Sequence, residues 1–473
     1  HEEAIDRRLA AFGFPDARRT RAAVAELAGG LTRRSRLMAQ LLPLLLDWLS
    51  VSPDPDLGLL GLRNLVAGRH QRALLVTSFR ESPETARRLC LLLGSSRALG
   101  EALQRNPELI AVLDDDGALA PTPRPDLVAD AGQRLARAGD DDARRAQLVR
   151  LRQDQFVRTA ARDVLDLDDL VGTGASLTSV AEAILEAAVQ AVAPDGGFCV
   201  VGMGRLGGAE LAYASDLDVL FVHEGDQERG AALSEALLHL LHGPSPAERV
   251  VDVDLGLRPE GSQGPLSRDV ASYAHYFSRW AQVWERQAML RARTVAGDRD
   301  LGERFMAAAT EFVWGRPLEE DEVAEIRRMK ARIERERIPT GEDPQFHLKL
   351  GRGSLSDVEW TVQLLQLRHG VAGTSTAGAA ATLVERGVLE PSDAEALGQS
   401  YRFCEHTRNR LHLVGALPGG GRSGDALPTH APLLSCLARS LATTPVALRD
   451  EYRRVTRRAR RVTERVFYGI EDA

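Results

Sequence analysis

Two hydrophobic periods run along the chain, and the point where one gives way to the other divides it. From residue 3 to about 193 apolar residues recur at helical spacing, as in Arg18 to Leu27, Leu37 to Trp48 and Pro83 to Leu93. The last of these has Ser82 in N-cap position and Gly94 placed to end it. Asp114 to Asp126, rich in Asp, Pro and Gly, predicts a loop between helical blocks, and Asp163 to Ser176 predicts a second one leading into a helix over Leu177 to Val192. The texture then changes. Gly196 to Gly204 (GGFCVVGMG) and Leu217 to Glu224 (LDVLFVHE) read as short strands, and Arg249 to Pro259 (RVVDVDLGLRP) alternates in period two until Pro259 stops it. Gln227 to Leu241 predicts a helix between the second and third strands. After Asp269 helical spacing returns and persists, apart from glycine-rich turns at Leu350 to Gly353 and Gly415 to Gly424. No repeat of about 20–50 residues interrupts it.

This pattern predicts a mostly α chain with one small α+β unit in its middle: a helical region over 1–175, a core over 176–300 and a helical bundle over 301–473. Composition agrees, since 473 residues with 44% hydrophobic content exceed what one core usually holds. The net charge of −7 argues against a protein built to coat nucleic acid. The apolar run Leu41 to Leu46 is broken by Pro43 and falls short of the roughly 20 residues of a membrane span, so no transmembrane helix or signal peptide is expected. Four scattered cysteines (Cys90, Cys199, Cys404, Cys436) show no metal-ligand spacing and suit a reducing cytoplasm. A first residue other than Met suggests a piece of a longer chain. The 60 cationic residues comprise 58 arginines and two lysines, Lys330 and Lys349. Arg-rich codons explain the bias, and the two exceptions then stand out, because a compact ammonium and a planar guanidinium are not interchangeable.

The candidate chemistry lies in VGMGRLGGAELAYASDLDVLFVHE. Gly204, Gly207 and Gly208 form a turn without Cβ atoms after a strand, which lets backbone N–H groups approach phosphate oxygens. Ser215-Asp216-Leu217-Asp218 opens the next strand, where residues two apart share a face, so Asp216 and Asp218 present two carboxylates to one point. A cation relieves their repulsion, and Mg²⁺, which binds through one or two carboxylates and substrate phosphates, is the natural candidate. Asp252 and Asp254 share a face of the third strand. One of them would complete a two-metal site for phosphoryl or nucleotidyl transfer. Asp252 reads more readily as a strand-edge acid. A second Asp-Leu-Asp, Asp166 to Asp168, lies in a polar linker with its glycines after it and is assigned to a loop or helix cap.

Together with LRPEGSQGPL (Leu257 to Leu266), WERQAMLRARTVAGD (Trp284 to Asp298), KLGRGSLSDVEWTVQLLQL (Lys349 to Leu367) and RVTRRARRVTERVFYG near the C-terminus, this segment resembles the glutamine synthetase adenylyltransferase family, most like its actinobacterial branch. Full-length members have two related nucleotidyltransferase halves, one attaching AMP and one removing it, and this chain is similar to the C-terminal, attaching half. The resemblance implies a DNA polymerase β-like nucleotidyltransferase core, ATP as substrate, two Mg²⁺ ions, a tyrosine of glutamine synthetase as acceptor, and control by a PII signal-transduction protein and by glutamine. It places metal binding and catalysis on Asp216, Asp218 and Asp254, and nucleotide contacts on Gly207, Gly208 and Ser215. Gly256 stands where many members carry an arginine, which leaves Arg258 as the substitute. Lys349 is a further phosphate candidate, and Lys330 a partner for Glu334 four residues on. Arg291 and Arg293 read as ion-pair partners or phosphate contacts, Asp357 and Glu359 as a helix start or docking element, and the C-terminal arginines as a solvated or docking face. The AMP-removing half, a nucleotidyltransferase with another acceptor, and a regulatory module that has lost activity are the alternatives.

Overall fold

In the computed structural model, which describes residues 2–14, 16–29, 33–67, 75, 79, 82–245, 248–415 and 424–470, helices make up 68% and strands are confined to the middle of the chain. The first helices, among them Ala17–Ala28, Arg33–Ser50, Pro55–Ala67 and Pro83–Ser95, bury a shared set of leucines that includes Leu45, Leu49, Leu62, Leu89 and Leu93. Ser82 caps the fourth of these as expected, its hydroxyl accepting the Thr85 N–H at 3.2 Å. Gly94 does not end that helix but lies inside it. The chain at Ser52 comes so close that a methyl group at position 94 would meet the Ser52 hydroxyl at 1.9 Å, so glycine here serves close approach rather than a C-cap.

The second expected loop is shorter than its glycines suggest. Helix α1 (Asp141–Val164) ends and α2 (Leu170–Val192) begins within a few residues, with Asp169 as N-cap accepting the Gly172 N–H at 2.7 Å and Asp168 paired with Arg162 at 2.8 Å. The Asp-Leu-Asp at 166–168 thus belongs to a helix start. Helix α2 runs through position 175 unbroken. It, and not the run at Leu41, is the one unbroken helix among the described residues long and apolar enough to cross a membrane. Its apolar surface is committed to packing instead, with Ala181, Ile184, Leu185 and Ala188 buried in the same core as one face of the sheet.

Five strands follow: β1 (Phe198–Gly202), β2 (Leu217–His223), β3 (Val253–Asp254), β4 (Ser267–Arg268) and β5 (Arg293–Gly297). β1 lies antiparallel between β2 and β5, while β3 and β4 run parallel to β2, near its start and its end. Two expectations change. The alternating run Arg249 to Pro259 contributes a strand of only two residues, and β5 falls where helical spacing was expected, because RTVAG has no period of its own and is a strand only by pairing with β1.

Helices α3 (Gly204–Gly207) and α4 (Gln227–His242) follow β1 and β2. Phe198, Val200, Val219 and Phe221 pack with α2 and α4, while Cys199, Val201, Leu220 and Val222 pack with Tyr273, Phe277 and Phe305 on the opposite face. With both faces covered, β1 and β2 are nearly continuous apolar runs. The C-terminal bundle consists mainly of α5 (Glu320–Glu336), α6 (Leu355–His369), α7 (Thr376–Glu385), α8 (Pro391–Val414) and α9 (Pro445–Val462). The turn at Leu350 to Gly353 is present as expected; most of the other glycine-rich turn, residues 416–423, lies outside the described residues.

Candidate active site

β1 delivers the chain to Met203, whose N–H donates to the Asp218 carbonyl at 2.8 Å, so the glycine turn and the start of β2 are hydrogen-bonded neighbours. Gly204 has φ +48°, and a Cβ there would sit 2.3 Å from Asp218 Oδ2. The Asp218 side chain therefore rests directly on the turn. That turn is a closed helical one. The Gly207 N–H donates to Met203 at 2.8 Å and the Gly208 N–H to Gly204 at 3.1 Å, so the two amides expected to face a phosphate are committed internally. The lack of a side chain matters here for packing: a Cβ on Gly207 would lie 1.8 Å from the Arg291 carbonyl, and one on Gly208 3.0 Å from that of Thr374. Ser215 Oγ accepts the Ala212 N–H at 3.0 Å and shapes the approach to Asp216.

The parallel pairing of β2 and β3 sets Asp218 opposite Asp254. Burial, and after it the charges of Asp216 and Asp254, push the Asp218 carboxyl up to about 6, while Lys349 and Arg205 pull the other way. The charges of the other two predicted acids thus both reach Asp218, which is half-buried, while Asp254 is exposed. Among the described residues no group of three acid, histidine or cysteine side chains is drawn together closely enough to hold a metal ion. Asp254 Oδ1 accepts the Gly256 N–H at 2.6 Å, and a Cβ at 256 would lie 2.9 Å from that oxygen, so the glycine at this position holds the acid by its backbone. Asp252 is different. Its carboxylate pairs with Arg249 and its carbonyl accepts the Leu217 N–H at 2.8 Å, the arrangement of a strand-edge acid.

The cations divide by what they touch. Lys349 is exposed, and its charge reaches Asp218; its own N–H and that of Leu350 donate to His347 Nδ1 at 3.2 and 3.0 Å. Arg258 donates to the carbonyls of Gly264 at 3.3 Å and Leu255 at 2.9 Å, which ties down its own loop. Arg291 is buried on Glu210 at 2.7 Å and on the Thr376 hydroxyl. Arg293 donates to Glu182 at 2.5 Å and to the carbonyls of Leu206 at 3.1 Å and Gly207 at 3.2 Å. Both brace the glycine turn. Lys330 has Glu334 at 2.8 Å as expected, and also Asp357 at 2.5 Å.

Sequence reasoning missed Arg205, in the middle of the motif. Its guanidinium meets Glu405 at 2.6 Å and Glu359 at 3.4 Å. Those partners lie 200 and 154 residues away, so no local spacing reveals them.

Residues 86–308 match the model of the glutamate-ammonia ligase adenylyltransferase family, and residues 324–467 match that of GlnD PII-uridylyltransferase. The chain is 38% identical to the bifunctional glutamine synthetase adenylyltransferase/adenylyl-removing enzyme of Streptomyces avermitilis, over 98% of this chain and 50% of that protein. It is 40% identical to the proteins of the same name from Nocardia farcinica, over 98% of this chain and 49% of that one, and Mycolicibacterium smegmatis, over 99% and 49%. The chain thus spans about half the length of the curated relatives it matches, and with the glycine turn, the facing acids and the strands that carry them all inside the matched segment, it belongs to the glutamine synthetase adenylyltransferase family.

Proposed function

We propose that this chain transfers AMP from ATP to a tyrosine hydroxyl of glutamine synthetase, on a nucleotidyltransferase core of the DNA polymerase β-like type spanning about residues 176–300, with the helical stretches on either side as separate units. One observation carries the reading: Asp218 rests on the glycine turn and faces Asp254 across paired strands, where burial first, and then the charges of Asp216 and Asp254, push its carboxyl up to about 6. Carboxylates that repel one another at the end of a strand suit a hard divalent cation, and their all-oxygen chemistry fits Mg²⁺. Asp216, Asp218 and Asp254, which by themselves stand farther apart than the ligands of one ion, would hold it by closing on its charge, and when bound it would supply positive charge to the phosphates and lower the pKa of a coordinated hydroxyl.

The chain's own groups have separate tasks. A tyrosine hydroxyl, with an ordinary pKa of about 10, needs a proton acceptor as its oxygen attacks the α-phosphorus and pyrophosphate leaves. Asp254, exposed and oriented by the Gly256 N–H, takes that proton. Lys349, exposed and close enough to act on Asp218, places a point charge for the nucleotide phosphates. Arg291 and Arg293 keep the glycine turn closed. The match of residues 324–467 to GlnD PII-uridylyltransferase supports a regulatory role for the bundle, under a PII protein and glutamine. Four free cysteines support a reducing, cytoplasmic setting.

The relatives' names contain both activities, so direction is tested directly. Purified chain is incubated with labelled ATP and unmodified glutamine synthetase, and separately with adenylylated synthetase and phosphate. Label entering the synthetase is expected in the first reaction; release of AMP as ADP in the second alone would reassign the chain to the removing half. Asp218→Asn should lower transfer by about 100-fold or more with an unchanged circular dichroism spectrum. Wild-type turnover in that variant would refute the site.

A further inference from the structure

Residues 204–210 lie between the carboxylates and the C-terminal bundle, and they are held at both ends. At one end Gly204 packs on Asp218 Oδ2. At the other, the carboxylate of Glu210 accepts the Thr376 N–H at the start of α7 at 2.7 Å, the Tyr401 hydroxyl from α8 at 3.1 Å and Arg291 at 2.7 Å. Between them the Arg205 side chain reaches the bundle. Its side chain is 13% exposed, and a guanidinium that far from water requires a paired charge. Both paired charges come from the bundle: Glu405 of α8, 5% exposed, at 2.6 Å and Glu359 of α6 at 3.4 Å. Glu405 Oε2 is buried without a hydrogen-bond partner among the described residues, so this carboxylate meets the turn through its other oxygen alone.

We propose that Arg205 is a positioning residue for AMP transfer: clamped by Glu405 and Glu359, it presses the 204–207 turn against Asp218, so that the carboxylate site is set by the C-terminal bundle as well as by the sheet. The clamp joins the segment that matches the adenylyltransferase family to the one that matches GlnD PII-uridylyltransferase. A shift of α6 or α8 would therefore be felt at Asp218 without any ligand touching the acids. Its kinetic consequence rests on the reading of the chain as an AMP-transferring enzyme; its structural consequence does not.

Two measurements on Glu405→Gln test it. The variant keeps the shape of the side chain and removes its charge. Expected are a fall in kcat of about tenfold or more with KM for ATP within about twofold of wild type, and, without nucleotide, amide hydrogen exchange over residues 203–210 faster by about tenfold. Arg205→Lys, which keeps the charge but cannot reach both acids as a fork, should recover part of the activity that Arg205→Gln loses. Wild-type kcat together with wild-type exchange in Glu405→Gln overturns the proposal. If that variant loses its cooperative unfolding transition, Glu359→Gln, whose side chain is one-fifth exposed, is read by the same two measurements with smaller shifts in the same directions. If the unaltered chain transfers no AMP in either direction, the functional reading fails, and the exchange result alone still decides whether the clamp exists.

Discussion

Lys330→Met tests why a chain with 58 arginines keeps a lysine at this position. Lys330 and Asp357 are both fully buried, 2.5 Å apart, and the cluster around them also holds Glu334, 2.8 Å from Lys330, and Arg460, 3.0 Å from Asp357 and 3.2 Å from Glu334. The Gly353 N–H adds a hydrogen bond to Asp357 at 2.6 Å. Arg460 is also held by Glu464 at 2.7 Å, so two cations serve three carboxylates, and removing Lys330 leaves Glu334 and Asp357 to share an arginine that is already paired. Breaking a buried pair from one side costs about 3–5 kcal/mol, and methionine fills the space without replacing the charge. The midpoint of urea unfolding, followed by far-ultraviolet circular dichroism, should fall accordingly. A loss below about 1 kcal/mol would mean that Arg460 alone satisfies both acids, and would refute the account.

The same cluster makes stability depend on pH. Burial would raise the Glu334 carboxyl, but Lys330, Arg460 and the Tyr468 hydroxyl outweigh it and hold it below its ordinary value. A depressed carboxyl stabilises the folded state above the unfolded value of about 4.3, and that contribution is lost as pH falls through the lower folded value. The gap between wild type and Lys330→Met should therefore be full at neutral pH and narrow below about pH 4. Lys330→Arg should also destabilise, by about 1–3 kcal/mol, because a larger head group must enter a pocket that admits no solvent.

Three further outcomes follow from the same structure. Lys349→Met should raise KM for ATP about tenfold with stability unchanged, since the side chain is exposed and acts on the site through its charge; an unchanged KM would leave this lysine without a nucleotide role. Gly94→Ala should lower unfolding stability by about 1–3 kcal/mol while AMP transfer persists, because the added methyl meets Ser52 at 1.9 Å, far from the acids. Burial pushes the thiols of Cys90, Cys199 and Cys404 up to about 12 and that of Cys436 to about 11, so native protein at pH 8 should react slowly with a thiol reagent, Cys436 first, and all four should react after unfolding.

Much of the site was legible because its parts are close in sequence. Gly204, Gly207, Gly208, Asp216 and Asp218 occupy fifteen consecutive positions, counted from 204 to 218, and β1 and β2 are short apolar runs on either side of them. One helix start was legible for the same reason, since the cap side chain of Ser82 reaches only three residues ahead; the helix expected from Leu177 begins instead at Leu170, capped by Asp169. The glycine turn shows the limit. Its spacing pointed to free amides, and the structure instead closes Gly207 and Gly208 into a helical turn whose missing side chains make room for the carbonyls of Arg291 and Thr374.

By itself the sequence determined the elements with a period of their own, the Ser82 cap, the i, i+4 pair of Lys330 with Glu334, and the family, through motifs whose order survives without any contact being known. Only the tertiary structure decided which acid faces Asp218, that RTVAG is a strand, that Lys330 also holds Asp357, and that Arg205 answers to two glutamates in the bundle. The physical reason is the same in each case. Hydrogen-bond register and buried charge pairing join residues far apart in the chain, and a local pattern carries no record of the partner that will satisfy it.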